Sequence, residues 1–270
     1  QIADKFNTLQ MGMVAADRVF EILDKKEPTD NRLIKLPPNL KGEITIEDLN
    51  FSYESGQEVL KNINININAG EKIALVGSTG SGKSTLINLI LLLYEYEKGD
   101  IRVDGISINK ISKNNLRSQV ANVSQDIFLF ADSIFNNVTL YNPKISLADV
   151  EKAASDIGID RFIKKLPNGF KYIVNEGGTI LSSGQRQLIS FLRAYVSNPK
   201  ILILDEATSS VDSFTEELIQ TATDRIIKNK TSIIIAHRLT TIKKADKIIV
   251  LDRGKICLLY TSDAADEPSS

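Results

Sequence analysis

The chain has 270 residues, 42% of them hydrophobic and 25% charged, which excludes a disordered or collagen-like polymer. Its 33 Lys+Arg against 34 Asp+Glu leave a net charge of -1, without the basic excess of a dedicated nucleic-acid binder. The one cysteine, Cys257, excludes an internal disulfide, and the longest apolar run, Leu89 to Tyr94, is far short of the ~18 residues of a membrane span.

In chain order, residues 4–24 read as a helix. Phe6, Leu9, Met13, Ala16, Phe20 and Leu23 recur at alternating three- and four-residue steps. This seam suits packing on a neighbour or a connector to a preceding domain, and the N-terminus, without an initiating Met or a signal pattern, reads as a point inside a longer polypeptide. Residues 25–41, with Pro28, Pro37 and Pro38 and no period, read as a linker. From Gly42 the period becomes two. Ile44, Ile46, Leu49 and Phe51 form one face of a strand bent at Asp48, and Ile63, Ile65 and Ile67 alternate with asparagine in a second. Such alternation suits an antiparallel sheet with one wet face. Lys72–Val76, Ile201–Leu204 and Ser232–Ile235 are short, nearly continuous apolar runs, each followed by a turn and a helix, as buried parallel strands are. Residues 132–197 read as mostly helical, clearest over Leu147–Ser155 and Gly184–Val196. The predicted fold is α/β: a mostly parallel sheet, an antiparallel β subdomain in front and a helical insertion in the middle.

Gly77-Ser78-Thr79-Gly80-Ser81-Gly82-Lys83-Ser84, followed by Thr85, matches G-x-x-x-x-G-K-[ST] between a strand and a helix. The glycines let the backbone curl so that several N–H groups face phosphate oxygens, and the helix adds its positive end. Lys83 brings a full charge to the β- and γ-phosphates, and Ser84 a hydroxyl for Mg²⁺. The strand Ile201–Leu204 ends in Asp205 and Glu206. There an Asp can hold Mg²⁺ and a Glu can polarise an attacking water. Gln125 closes another apolar run, and His237, the single histidine, a third; Ser209 and Asp212 follow the acidic pair. Ligands of open parallel sheets bind at such carboxyl ends.

Leu181-Ser182-Ser183-Gly184-Gln185-Arg186-Gln187 carries an S-x-x-Q capping box in Ser182 and Gln185, which an ordinary helix start also explains. Following the phosphate loop and shortly preceding Asp205, this string resembles the signature motif of ABC-transporter ATPases. The family form has two glycines after the first serine, and Ser183 stands in place of one of them. The resemblance runs over roughly residues 42–256 with the motifs in family order: Tyr53 is similar to the adenine-stacking aromatic, Gln125 to the Q-loop, Asn175-Glu176-Gly177-Gly178 to the exporter X-loop, Ser209-Ser210-Val211-Asp212 to the D-loop and His237 to the switch histidine.

The resemblance implies a P-loop ATPase domain at 42–257, preceded at 1–24 by the end of an exporter's last membrane helix and followed at 258–270 by a tail unlike the family. It implies ATP and Mg²⁺ bound by Tyr53, the loop from Gly77 to Thr85, Gln125 and Asp205, with Glu206, His237 and Gln125 catalytic. It implies a second such domain, identical or not, that reaches the ATP with Ser182, Ser183, Gly184, Gln185, Ser209 and Asp212. A transmembrane domain of the same chain, the cytoplasmic side of a cell membrane and no nucleic-acid partner complete the expectation. A soluble ABC-type clamp and a non-hydrolysing regulatory partner domain are the alternatives; the net charge of -1, the absence of a basic stripe and the amphipathic entry helix weigh against the first, and the presence of Glu206 and His237 against the second.

Overall fold

The structure is a computed structural model describing residues 2–25, 30, 32, 34–37, 39–53, 56–205, 212–236 and 239–261, the last four in their backbone only. Two compact units emerge, residues 1–31 and 32–270. The first contains α1 (Ile2–Asp24), whose residues are all exposed, including Phe6, Leu9, Met13, Phe20 and Leu23 of the predicted seam.

The second unit contains β1 (Ile44–Phe51), β2 (Leu60–Ile67), β3 (Lys72–Val76), α2 (Lys83–Ile90), β4 (Lys98–Val103), β5 (Ile106–Ser107), α3 (Lys113–Gln119) and β6 (Val120–Val123). Helices α4 (Ile134–Thr139), α5 (Leu147–Ile157), α6 (Asp160–Lys165) and α7 (Ser183–Val196) follow. The chain returns through β7 (Ile201–Asp205), α8 (Ser213–Ile226), β8 (Thr231–Ile235), α9 (Leu239–Lys243), β9 (Lys247–Asp252) and β10 (Lys255–Thr261).

The front sheet is antiparallel, in the order β2-β1-β4-β5. Ile44, Ile46, Leu49 and Phe51 are buried on one face, as their spacing predicts. The step from Ile46 to Leu49 keeps that face because a register shift lies between them and Asp48 takes φ +46°. The second sheet runs β10-β9-β3-β8-β7-β6, parallel from β9 to β6 with β10 antiparallel at one edge. Residues 258–261, placed in the predicted tail, extend β10 by pairing with β9.

The central strands are apolar throughout because each serves two cores. Ile201, Ile203, Ile233 and Ile235 pack with the front sheet and α2; Leu202, Leu204 and Ile234 pack with the helical insertion and α8. Period-two geometry thus turns a continuous apolar run into a wall shared by two layers. Leu36 and Leu40, inside the predicted linker, are buried in the first core. In the insertion, Ser146 and Asp149 form a capping box at the start of α5, and Ser133 caps α4.

Candidate nucleotide site

The parallel strands expose their carboxyl ends on one side, and the loop from Gly77 to Gly82 leaves β3 there. Close approaches dictate two of its glycines. A Cβ on Gly77 would stand 2.2 Å from the Leu251 carbonyl oxygen, because β3 pairs with β9 and brings that carbonyl alongside. A Cβ on Gly82 would stand 2.7 Å from Leu60 Cδ2, and Gly82 also takes φ +107° as the residue before α2. Ser81 N–H turns back to the Ser78 carbonyl at 3.1 Å, and Gly254 N–H, from the β9–β10 turn, donates to the Ser81 carbonyl at 3.0 Å. The sequence marks only a turn at Asp252-Arg253-Gly254, not the loop that it braces.

Lys83 opens α2 and folds over the loop. Its Nζ donates to the Gly77 carbonyl at 2.8 Å and to the Ser78 carbonyl at 2.9 Å. The ammonium thus sits on neutral carbonyls at the mouth of the cradle, partners that an anion's oxygens can replace. Ser81 Oγ is buried with no hydrogen-bond partner among the described residues.

A cleft of about 430 Å³ is lined by Tyr53, Thr79, Gly80, Lys83, Ser84, Thr85, Gln125 and Asp205, with Val59 and Ile235 as apolar wall. Four separate segments therefore supply the predicted residues, Tyr53 among them. Asp205 ends β7, Gln125 follows β6 and Ser84 lies in the first turn of α2. A hydroxyl, an amide carbonyl and a carboxylate on one cleft are the hard oxygen donors a Mg²⁺ ion takes, so the residues fit that ion. Tyr53 is half exposed; its hydroxyl lies 2.9 Å from Thr85 Oγ1, and its ring stands edge-on to Phe51 and Tyr94, each 5.0 Å between centroids. Val59 and Ile235 carry no polar group, and nothing in their sequence surroundings distinguishes them from core.

The predicted signature residues lie elsewhere. Ser182 Oγ accepts the Gln185 backbone N–H at 3.2 Å, and Gln185 Oε1 accepts the Ser182 N–H at 3.0 Å, the capping box its spacing implies. Ser182, Ser183, Gly184 and Gln185 do not line the cleft. Asp212 caps α8: its Oδ1 accepts the Thr215 N–H at 2.9 Å, a bond that holds its carboxyl below the usual carboxylate range. Glu206, Ser209 and His237 lie outside the described residues.

Residues 60–209 match the protein family described as ABC transporter. The chain belongs to that family. Its nucleotide-binding ATPase domain is what the two sheets and the helical insertion build. The chain is 43% identical, over 94% of its length, to the "Probable multidrug resistance ABC transporter ATP-binding/permease protein YheH" of Bacillus subtilis. It is 44% identical over 95% of its length to an ATP-dependent lipid A-core flippase of Pseudomonas syringae, and 41% identical over 95% to a fatty acid ABC transporter ATP-binding/permease protein of Mycobacterium bovis. It spans about two fifths of those relatives, 38%, 43% and 40% respectively. A solved bacterial Atm1-family ABC exporter with ATP bound superposes with a TM-score of 0.79 at 32% identity, over 96% of this chain and 46% of that one. Among the described residues of this ABC ATPase domain no helix is long and apolar enough to cross a membrane.

Proposed function

We propose that this domain binds and hydrolyses Mg·ATP in the cleft beneath Lys83, as the cytoplasmic motor of an exporter of the multidrug–lipid kind whose membrane-spanning part belongs to the same polypeptide. One observation carries the reading: Lys83, Ser84, Gln125, Asp205 and Tyr53 line a single cleft at the carboxyl ends of the parallel strands. The relatives, which join ATP-binding and permease parts in one protein, support the coupling to a membrane domain.

Tyr53 offers its ring to the adenine. The loop N–H groups and Lys83 hold the triphosphate, Lys83 exchanging its two carbonyl partners for phosphate oxygens. Ser84, Gln125 and Asp205 would hold Mg²⁺, which when bound would supply positive charge to offset that of the triphosphate. Glu206 takes a proton from the water whose oxygen attacks the γ-phosphorus. The bond from that phosphorus to the β–γ bridging oxygen breaks, and ADP leaves with its electron pair. His237 donates to the γ-phosphate or orients the water. A second domain, identical or related, closes the site with Ser182, Ser183, Gly184, Gln185, Ser209 and Asp212. Its helix start brings partial positive charge to the γ-phosphate, and closure expels water, strengthening each bond to the phosphate. Hydrolysis removes the bridging charge and lets the pair open, the stroke that drives transport.

The test is Lys83→Ala. A charge-assisted hydrogen bond of about 1.5–3 kcal/mol predicts ATP affinity lower by roughly 10- to 150-fold, with ATPase activity lost. Unchanged affinity and turnover would remove the reading.

A further inference from the structure

A second cleft, of about 570 Å³, lies at the opposite end of β8 from the nucleotide site. Lys152, Arg225, Lys228 and Lys230 line it, against the carboxylates Asp149 and Asp156. Both carboxylates are already engaged. Asp149 accepts the Ser146 hydroxyl at 2.6 Å and the Ser146 N–H at 2.9 Å, and Asp156 lies 3.4 Å from the Tyr195 hydroxyl, which donates to it.

The cations are less well served. None of the ion pairs among the described residues involves Lys228 or Lys230. Lys230 is half buried, its ammonium 5.5 Å from the centre of the Tyr195 ring. Burial first, and then the like charge of Lys200, push its pKa below the usual lysine value. Arg225 is fixed in place: its Nη1 donates to the Ser155 carbonyl at 3.3 Å and the Asp156 carbonyl at 2.9 Å, at the end of α5. Only that nitrogen is committed among the described residues, so the rest of the guanidinium fork is available. The amides of Asn198 and Asn229 add further donors to the lining.

A cleft of donors with a surplus of positive charge, one of them half buried beside a like charge, is relieved by an anion of more than one negative charge. A planar, pre-positioned guanidinium next to flexible ammonium groups matches the oxygens of a phosphate better than a single carboxylate. We propose that this cleft binds a phosphate-type polyanion, anchored by Lys230 and Arg225 and separate from the nucleotide. The chemistry is shared by soluble phosphates and by the headgroups of anionic lipids.

The test uses the 270-residue chain carrying Lys83→Ala, so that the phosphate loop does not dominate. Pyrophosphate is titrated calorimetrically, and the chain is sedimented with vesicles of phosphatidylglycerol or of phosphatidylcholine. Saturable pyrophosphate binding weakened at least about tenfold by Lys230→Gln, and likewise by Arg225→Gln, is expected for a soluble phosphate. Retention on phosphatidylglycerol but not phosphatidylcholine vesicles, lost in the same variants, identifies the lipid headgroup as the source. Lys228→Gln, at an exposed position, gives a smaller loss and serves if Lys230→Gln does not fold. Binding indifferent to all three substitutions, or no saturable binding to either probe, overturns the proposal while leaving the ATPase reading untouched.

Discussion

Gly77 and Leu251, far apart in the chain, meet so closely that a β-carbon on the glycine would stand 2.2 Å from the leucine's carbonyl oxygen. The contact follows from the pairing of Val76 with Val250 one residue earlier on each strand. The exit of the phosphate loop is therefore set by a backbone that cannot yield as a flexible side chain would.

Gly77→Ala should displace the loop or part the two strands. Overpacking of this kind costs about 1–3 kcal/mol. Urea unfolding should show that loss together with weaker ATP binding. A variant of full stability and full affinity would mean that the loop is free to move away from Leu251.

Glu206→Gln separates chemistry from binding. The amide keeps size and polarity and loses the base, so ATP affinity should persist while turnover falls by roughly 10²–10⁴-fold. A dimer holding ATP should accumulate in Mg·ATP on a sizing column. Near-normal turnover would transfer the base role to another group.

Ser182 and Gly184 open α7 and do not line the cleft that contains Lys83, which is expected if they serve another domain's nucleotide. Chains with Lys83→Ala and chains with Gly184→Asp should each be inactive alone. Mixed, they form heterodimers in which one composite site carries both lesions and the other none. Partial return of ATPase activity is the expected result. No return, with heterodimers confirmed by sizing in Mg·ATP, would argue for action within one chain or for a strict need of two intact sites.

Asp132 gives a prediction in pH. The Tyr141 hydroxyl, the Ser133 backbone N–H and the Asn136 side chain all donate to its carboxylate, holding its pKa down to about 2. A carboxylate depressed in the folded state stabilises fully above its unfolded value, ~3.9, and that contribution is lost as pH falls from there through about 2. Carbon-detected NMR should place the Asp132 midpoint near 2 in the intact chain and higher in Tyr141→Phe. Asp132→Asn should flatten the acid side of the melting-temperature profile. A midpoint near the ordinary carboxylate value would show that the three donors do not hold it.

The phosphate loop, the acidic strand end and the two-core strands could be read from the sequence because each is written in neighbouring residues. Gly80, Gly82 and Lys83 are local chemistry: φ of +80° and +107° and one charge at a helix start. The capping box at Ser182 and Gln185 is likewise local, three residues apart, and the bend at Asp48 shows as a slip in alternation. The family resemblance joined these pieces into one order, but order along a chain is not position in space. That Gln125, Asp205, Ser84 and Tyr53 share one cleft depends on β6, β7, β3 and the front sheet lying where their pairings put them. So do the burial of Leu36 and Leu40 in a segment that reads as linker, the brace from Gly254 to Ser81 and the contact of Leu251 with Gly77. Each joins residues far apart in sequence through backbone atoms or apolar surface. Those groups are the same in every residue or shared by many, so no residue type announces them; strand order and register alone decide which of them meet.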